Sequence, residues 1–75
     1  MKNEIQKLLE DAFPAIDFAA SDKLADDGIL DSLTIVQIVG ELSMEYDVEF
    51  SFEDLSNENF NSIEAIAAMV EGLLK

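Results

Sequence analysis

The chain has 75 residues, 49% of them apolar, and its 17 acids against 4 basic residues give a formal net charge of -13. A domain of this size buries only about 60% of the surface its unfolded form exposes, so the core is thin, although the apolar content predicts a folded protein rather than a disordered one. The charge argues against nucleic acid and anionic membranes as partners and favours basic proteins, while the lack of any histidine or cysteine removes the usual general base, thiol nucleophile and disulfide and argues against autonomous catalysis.

Ile5, Leu8, Leu9, Ala12 and Phe13 recur at helical spacing, with Lys2, Glu4, Lys7, Glu10 and Asp11 largely elsewhere, and predict a first helix with one inward face. These early charges are unlike a secretory leader. The longest wholly apolar run, Ala65 to Val70, is far too short to span a bilayer, so a soluble, cytoplasmic protein without membrane insertion is expected. Pro14 opens a connection running to Asp31, longer than most loops between helices. Such a loop needs anchors, for which Ile16, Phe18, Leu24, Ile29 and Leu30 are the candidates, and Asp26-Asp27-Gly28 reads as a turn.

A second helix is expected to start at Ser32 or just after it and to run to about Tyr46, with Asp31 near its positive end. It carries two apolar stripes. Ile35, Ile38, Val39, Leu42 and Tyr46 form a core stripe. Roughly opposite lie Leu33, Val36, Gly40 and Met44, with Gln37 beside them and Thr34, Glu41 and Glu45 as a polar strip between. The second stripe is either further core, covered by the long loop, or a patch for a partner; for Leu33, next to the serine, the partner reading is preferred. Val48 and Phe50 follow in extended chain. Ser51-Phe52-Glu53-Asp54 has capping-box spacing and predicts a short helix through Leu55, and Asn61-Ser62-Ile63-Glu64 opens the last helix, whose inward face is Ile63, Ile66, Ala67, Val70 and Leu74, with Gly72 marking a frayed end. The fold class is therefore all-α: one domain over residues 1–75, with three longer helices, a short one, and a long loop between the first and second. Ile38, Leu42, Phe50, Ile63 and Ala67 either line an internal pocket or fill an ordinary core, the latter being preferred.

Ser32 stands at a helix start, where serine or aspartate commonly serves as the N-cap. A helix start also offers N–H groups and a positive dipole end to a phosphate carried on the hydroxyl. The loop acids Asp22, Asp26, Asp27 and Asp31 read as solvated surface, a cation site or a contact for a basic protein. A calcium-binding loop around Gly28 fails on spacing, because Lys23 and Thr34 fall where acidic ligands are required. Paired acids such as Asp26 and Asp27 lack any recognisable acid/base constellation, so no catalytic residue is assigned.

The segment Leu24-Ala25-Asp26-Asp27-Gly28-Ile29-Leu30-Asp31-Ser32-Leu33, followed by the helix Thr34 to Tyr46 and then Asp47-Val48-Glu49-Phe50, resembles the attachment region of the acyl and peptidyl carrier proteins, the phosphopantetheine-binding family. The resemblance covers essentially the whole chain. It implies a four-helix bundle in which Ser32 receives 4'-phosphopantetheine from coenzyme A through a separate Mg-dependent phosphopantetheinyl transferase. The thiol of that arm then holds an acyl or aminoacyl cargo as a thioester. By the same resemblance Asp31 and Leu33 complete the transferase recognition motif, and Leu33, Val36, Gln37 and Gly40, with Met44 on the same stripe, form the surface met by the transferase, an adenylating ligase and downstream acyl-transferring enzymes.

Fatty-acid carriers place acids at the positions of Gln37, Ser43 and Met44 and a larger apolar residue at Gly40. Val36-Gln37 and Asn59-Phe60-Asn61-Ser62-Ile63 look more like the D-alanyl carriers of teichoic acid D-alanylation and the stand-alone carriers paired with adenylating ligases. A free-standing monomer is expected. The rival reading is an acidic adaptor without a prosthetic group, in which Ser32→Ala changes nothing.

Overall fold

Four α-helices make up the computed structural model, which describes residues 2–74: α1 (Lys2–Ala12), α2 (Ser32–Tyr46), α3 (Asn57–Phe60) and α4 (Ile63–Leu74). A single 3-10 turn, Phe52–Asp54, lies between α2 and α3, and no strand occurs among the described residues, so the chain is the all-helical bundle that its periodicities predict. Helix α1 packs against both α2 and α4, and α3 packs against α4.

The core forms one cluster. Ile5 and Leu9 enter it from α1, Ile35, Ile38 and Leu42 from α2, Phe60 from α3, and Ile63, Ile66, Ala67 and Val70 from α4. Fully burying each aliphatic or aromatic side chain contributes about 1.5–3 kcal/mol, which is what holds so short and so charged a chain together. Ile38, Leu42, Ile63 and Ala67 are buried and Phe50 packs against them, so these residues belong to that core. Two expected inward positions lie outside it. Ala12 in the last turn of α1 and Leu74 at the end of α4 are exposed, because both helices run past the edge of the cluster. Gly72 does not end α4, which continues to Leu74.

Residues 51–60 depart most from expectation. The segment read as one short helix through Leu55 is only a three-residue 3-10 turn, and a separate helix, α3, follows it at Asn57–Phe60. The capping chemistry is present: the Ser51 N–H and hydroxyl both donate to one Asp54 carboxylate oxygen, at 2.9 and 3.0 Å. It closes a single turn and no more, since the Asn59 side chain takes the Asp54 carbonyl (3.0 Å) and α3 begins in its own right. Helix α4 is capped by Ser62, whose hydroxyl oxygen accepts from the Ala65 N–H at 3.0 Å.

Asn61, read from sequence as part of that cap, is instead turned toward the long loop. Its side-chain oxygen accepts from the N–H groups of Ala25 (3.1 Å) and Asp26 (3.0 Å), its amide donates to the Asp26 carboxylate (3.1 Å), and its own carbonyl accepts from the Leu24 N–H (2.8 Å). Asn57 on α3 donates to the other Asp26 oxygen at 3.1 Å. The loop is thus pinned polar group by polar group to the α3–α4 junction, while Phe18, Leu24 and Leu30 anchor it in the core and Ile16 packs at its edge. Ile29, a predicted anchor, is exposed: Gly28 turns the chain at φ 80°, and the following pair puts Leu30 inward and Ile29 outward.

Removing the Asn61 side chain leaves the partly buried Ala25 N–H without a partner, so Asn61→Ala is expected to cost about 1–3 kcal/mol in urea unfolding. Asn61→Asp sets two carboxylates together and is also expected to destabilise. The exchange Asp26→Asn with Asn61→Asp restores every donor and acceptor, and its unfolding midpoint is expected to return toward wild type.

Candidate functional site

The long loop delivers the start of α2 to a fixed place. After the Gly28 turn, Leu30 is buried and its N–H donates to the Leu24 carbonyl (3.0 Å), which seats the chain one residue before Asp31. Asp31 is extended (φ -85°, ψ 178°), and its carboxylate accepts from the Thr34 N–H at 2.8 Å while its carbonyl accepts from Ile35 N–H at 2.9 Å. Asp31 is therefore the N-cap of α2. The hydrogen bond from the Thr34 backbone, helped by the Thr34 side chain, holds its carboxyl below the usual aspartate range.

That assignment settles which of the two neighbours does the capping. Ser32 is the first residue of α2, is exposed, and among the described residues its hydroxyl has no hydrogen-bond partner. The Thr34 N–H is taken by the Asp31 carboxylate. One of the helix-start donors that could meet a phosphate on Ser32 thus serves the cap instead.

The second stripe of α2 is the exposed patch rather than further core: Leu33, Val36 and Met44 are 68%, 58% and 75% exposed, with Gln37 and Gly40 also open to solvent. The loop is pinned to α3 and α4 instead of lying over it. At the serine end, Ser32, Ile35, Val36, Phe52, Leu55 and Asn57 line an open cleft of about 260 Å³. Phe52 was not singled out from sequence, and its ring is 91% exposed. A clue was present in its placement between a cap serine and two acids: a three-residue turn has no inward face to receive it.

The loop acids are largely committed to structure. Asp26 accepts from Asn57 and Asn61, Asp27 accepts from the Ser21 hydroxyl at 2.7 Å, and Asp31 caps α2. Among the described residues no three acids converge closely enough to hold a metal ion.

The arrangement is a bundle that holds one unengaged primary hydroxyl in the open, at a helix start, beside an apolar face and without a base of its own. Residues 1–70 match the family model of the phosphopantetheine attachment site, and the chain belongs to that phosphopantetheine-binding carrier family. No curated protein and no solved structure gives a significant match. Members of the family carry covalently attached 4'-phosphopantetheine and work with phosphopantetheinyl transferases and further partner enzymes. The residues present suit the group: Ser32 is exposed and its hydroxyl is not spent on the helix cap.

Asp31→Ala is expected to lower the melting temperature at neutral pH by uncapping α2. Because the folded-state pKa is depressed, the carboxylate's contribution is full above the ordinary aspartate value near ~4 and is lost as pH falls through the folded value. Thermal unfolding at neutral and strongly acid pH is expected to show the wild-type and variant curves converging in acid.

Proposed function

We propose that this chain is a single-domain, non-catalytic acyl or aminoacyl carrier protein of the cytoplasm in which Ser32 takes 4'-phosphopantetheine from coenzyme A. The observation that carries this reading is the division of work at the start of α2: Asp31 supplies the cap, so the neighbouring exposed hydroxyl has no structural task. When bound, the group supplies a thiol at the end of a flexible arm, on which cargo rides as a thioester. The chain's own part is to present the Ser32 oxygen and surrender its proton to the transferase. Thereafter it offers the exposed face of Leu33, Val36, Gln37, Gly40 and Met44 to the transferase, to an adenylating ligase and to downstream acyl-transferring enzymes. A tethered cargo meets each active site at high effective concentration, so weak and fast contacts suffice.

That face carries no acid at Gln37, Ser43 or Met44, which favours a cargo loaded by an adenylating ligase, of the D-alanyl type or an organic acid, over housekeeping fatty-acid synthesis. Asp31 and Leu33 flank Ser32 as its transferase recognition residues. Among the described residues no helix is long and apolar enough to cross a membrane.

Incubation with coenzyme A, Mg and a broad-specificity phosphopantetheinyl transferase is expected to add one phosphopantetheinyl group to wild type and none to Ser32→Ala, read by intact mass spectrometry. No gain by folded wild type overturns the reading and returns the chain to an acidic adaptor. Gly40 tests the face itself. A methyl group there would meet nothing within 4 Å, so Gly40→Ala is expected to raise stability by roughly 1 kcal/mol in urea unfolding while slowing turnover by partners that approach this backbone. Raised stability with unchanged transferase kinetics would remove Gly40 from the partner surface.

A further inference from the structure

Phe52 is the most exposed of the large apolar side chains, at 91%, yet its backbone is among the better tied. Ser51 donates twice to Asp54, the Asp54 N–H donates to the Ser51 carbonyl (3.0 Å), and the Leu55 N–H donates to the Phe52 carbonyl (3.2 Å). The turn is further held by Asn59 on α3. An aromatic ring on a fixed stalk has only two side-chain torsions to lose on being buried, which is the arrangement of a binding anchor. Phe52 also lines the same cleft as Ser32 and Val36.

Its position determines what covers it. An enzyme acting on the Ser32 hydroxyl must bring its surface onto this end of the molecule, and a standard interface takes about 800 Å² from each partner, a patch of roughly 16 Å radius. The molecule measures 29 × 24 × 19 Å, so a footprint centred on Ser32 includes the cleft and both of its walls. Glu53 and Asp54 adjoin Phe52, and residues 24–74 contain no lysine or arginine, so the matching surface is an apolar socket with a basic rim. A second copy of this chain fits poorly, because each carries a net charge of -13.

We propose that Phe52 is a docking anchor for the phosphopantetheinyl transferase, its ring entering an apolar, basic-rimmed socket beside the site that receives Ser32. The inference rests on Ser32 being the attachment residue and extends the partner surface off α2, across the cleft, to the turn before α3.

The test is steady-state loading of the full chain by a broad-specificity transferase with coenzyme A and Mg. Phe52→Ala is expected to raise the KM for the carrier about tenfold, the loss typical of one anchor side chain, with kcat within about twofold. Phe52→Leu is expected to fall between, and circular dichroism is expected to show both variants folded, since the ring is packed on almost nothing. An unchanged KM for Phe52→Ala overturns the anchor while leaving Ser32 as the attachment residue. A wild type that is not loaded overturns both. Sedimentation that shows a wild-type dimer dissolved by Phe52→Ala assigns the face to a second copy and also overturns the proposal.

Discussion

The hydrogen bonds between the long loop and Asn61 are the constraint on which the rest of the site depends. Residues 13–31 contain no helix, and a connection of that length has many conformations open to it. Apolar anchors alone would fix its depth but not its rotation. Asn61 supplies the rotation: by satisfying the backbone of three successive residues, Leu24, Ala25 and Asp26, it sets the direction in which the chain enters the Gly28 turn, and so where Asp31 and Ser32 arrive. Asn57 extends the same tie to α3, and Asn57 also lines the cleft beside Ser32. One polar network therefore couples the placement of the serine to the placement of the opposite wall.

The longer helices were legible in the sequence because each has a stripe of large aliphatic residues at helical spacing, and α2 was legible to within about a residue because an Asp-Ser pair at its start and a polar strip frame it. The short elements were not. In Phe52–Asp54 and Asn57–Phe60 there are too few residues for a period to show, and the same Ser-x-x-Asp pattern that opens a helix also closes a lone turn. Ile29 and Leu30 could not be told apart as loop anchors either, since which one faces inward depends on the left-handed turn at Gly28 before them. Asn61 was misjudged for a related reason. Beside a serine at a helix start it reads as local capping chemistry, and nothing in the linear order reveals amides about 35 positions earlier that need an acceptor.

Sequence patterning placed Asp31 and Ser32 at the start of α2 and the second stripe on its outward face, but could not apportion the cap between two adjacent candidates. The geometry does so, and the result explains how a chain without histidine or cysteine suits a family whose chemistry is brought in from outside. The structure invests its polar groups in holding a hydroxyl still and leaves that hydroxyl unengaged. The cap and the exposed hydroxyl belong to neighbouring residues, so a change at the serine oxygen leaves the Asp31 cap in place.

The large negative charge has a further consequence once the size of the molecule is considered. At physiological ionic strength electrostatic fields decay over about 8 Å, less than half the shortest dimension of this domain, 19 Å. An approaching enzyme therefore senses only the side turned toward it, and acids distributed over the surface attract basic patches in many orientations, most of them unproductive. The outward stripe of α2 bears no charge of its own. On the proposed partner reading, charge on this domain gathers encounters and the uncharged stripe beside Ser32 sorts them, retaining the orientation in which displaced water and apolar contact add to the electrostatic attraction.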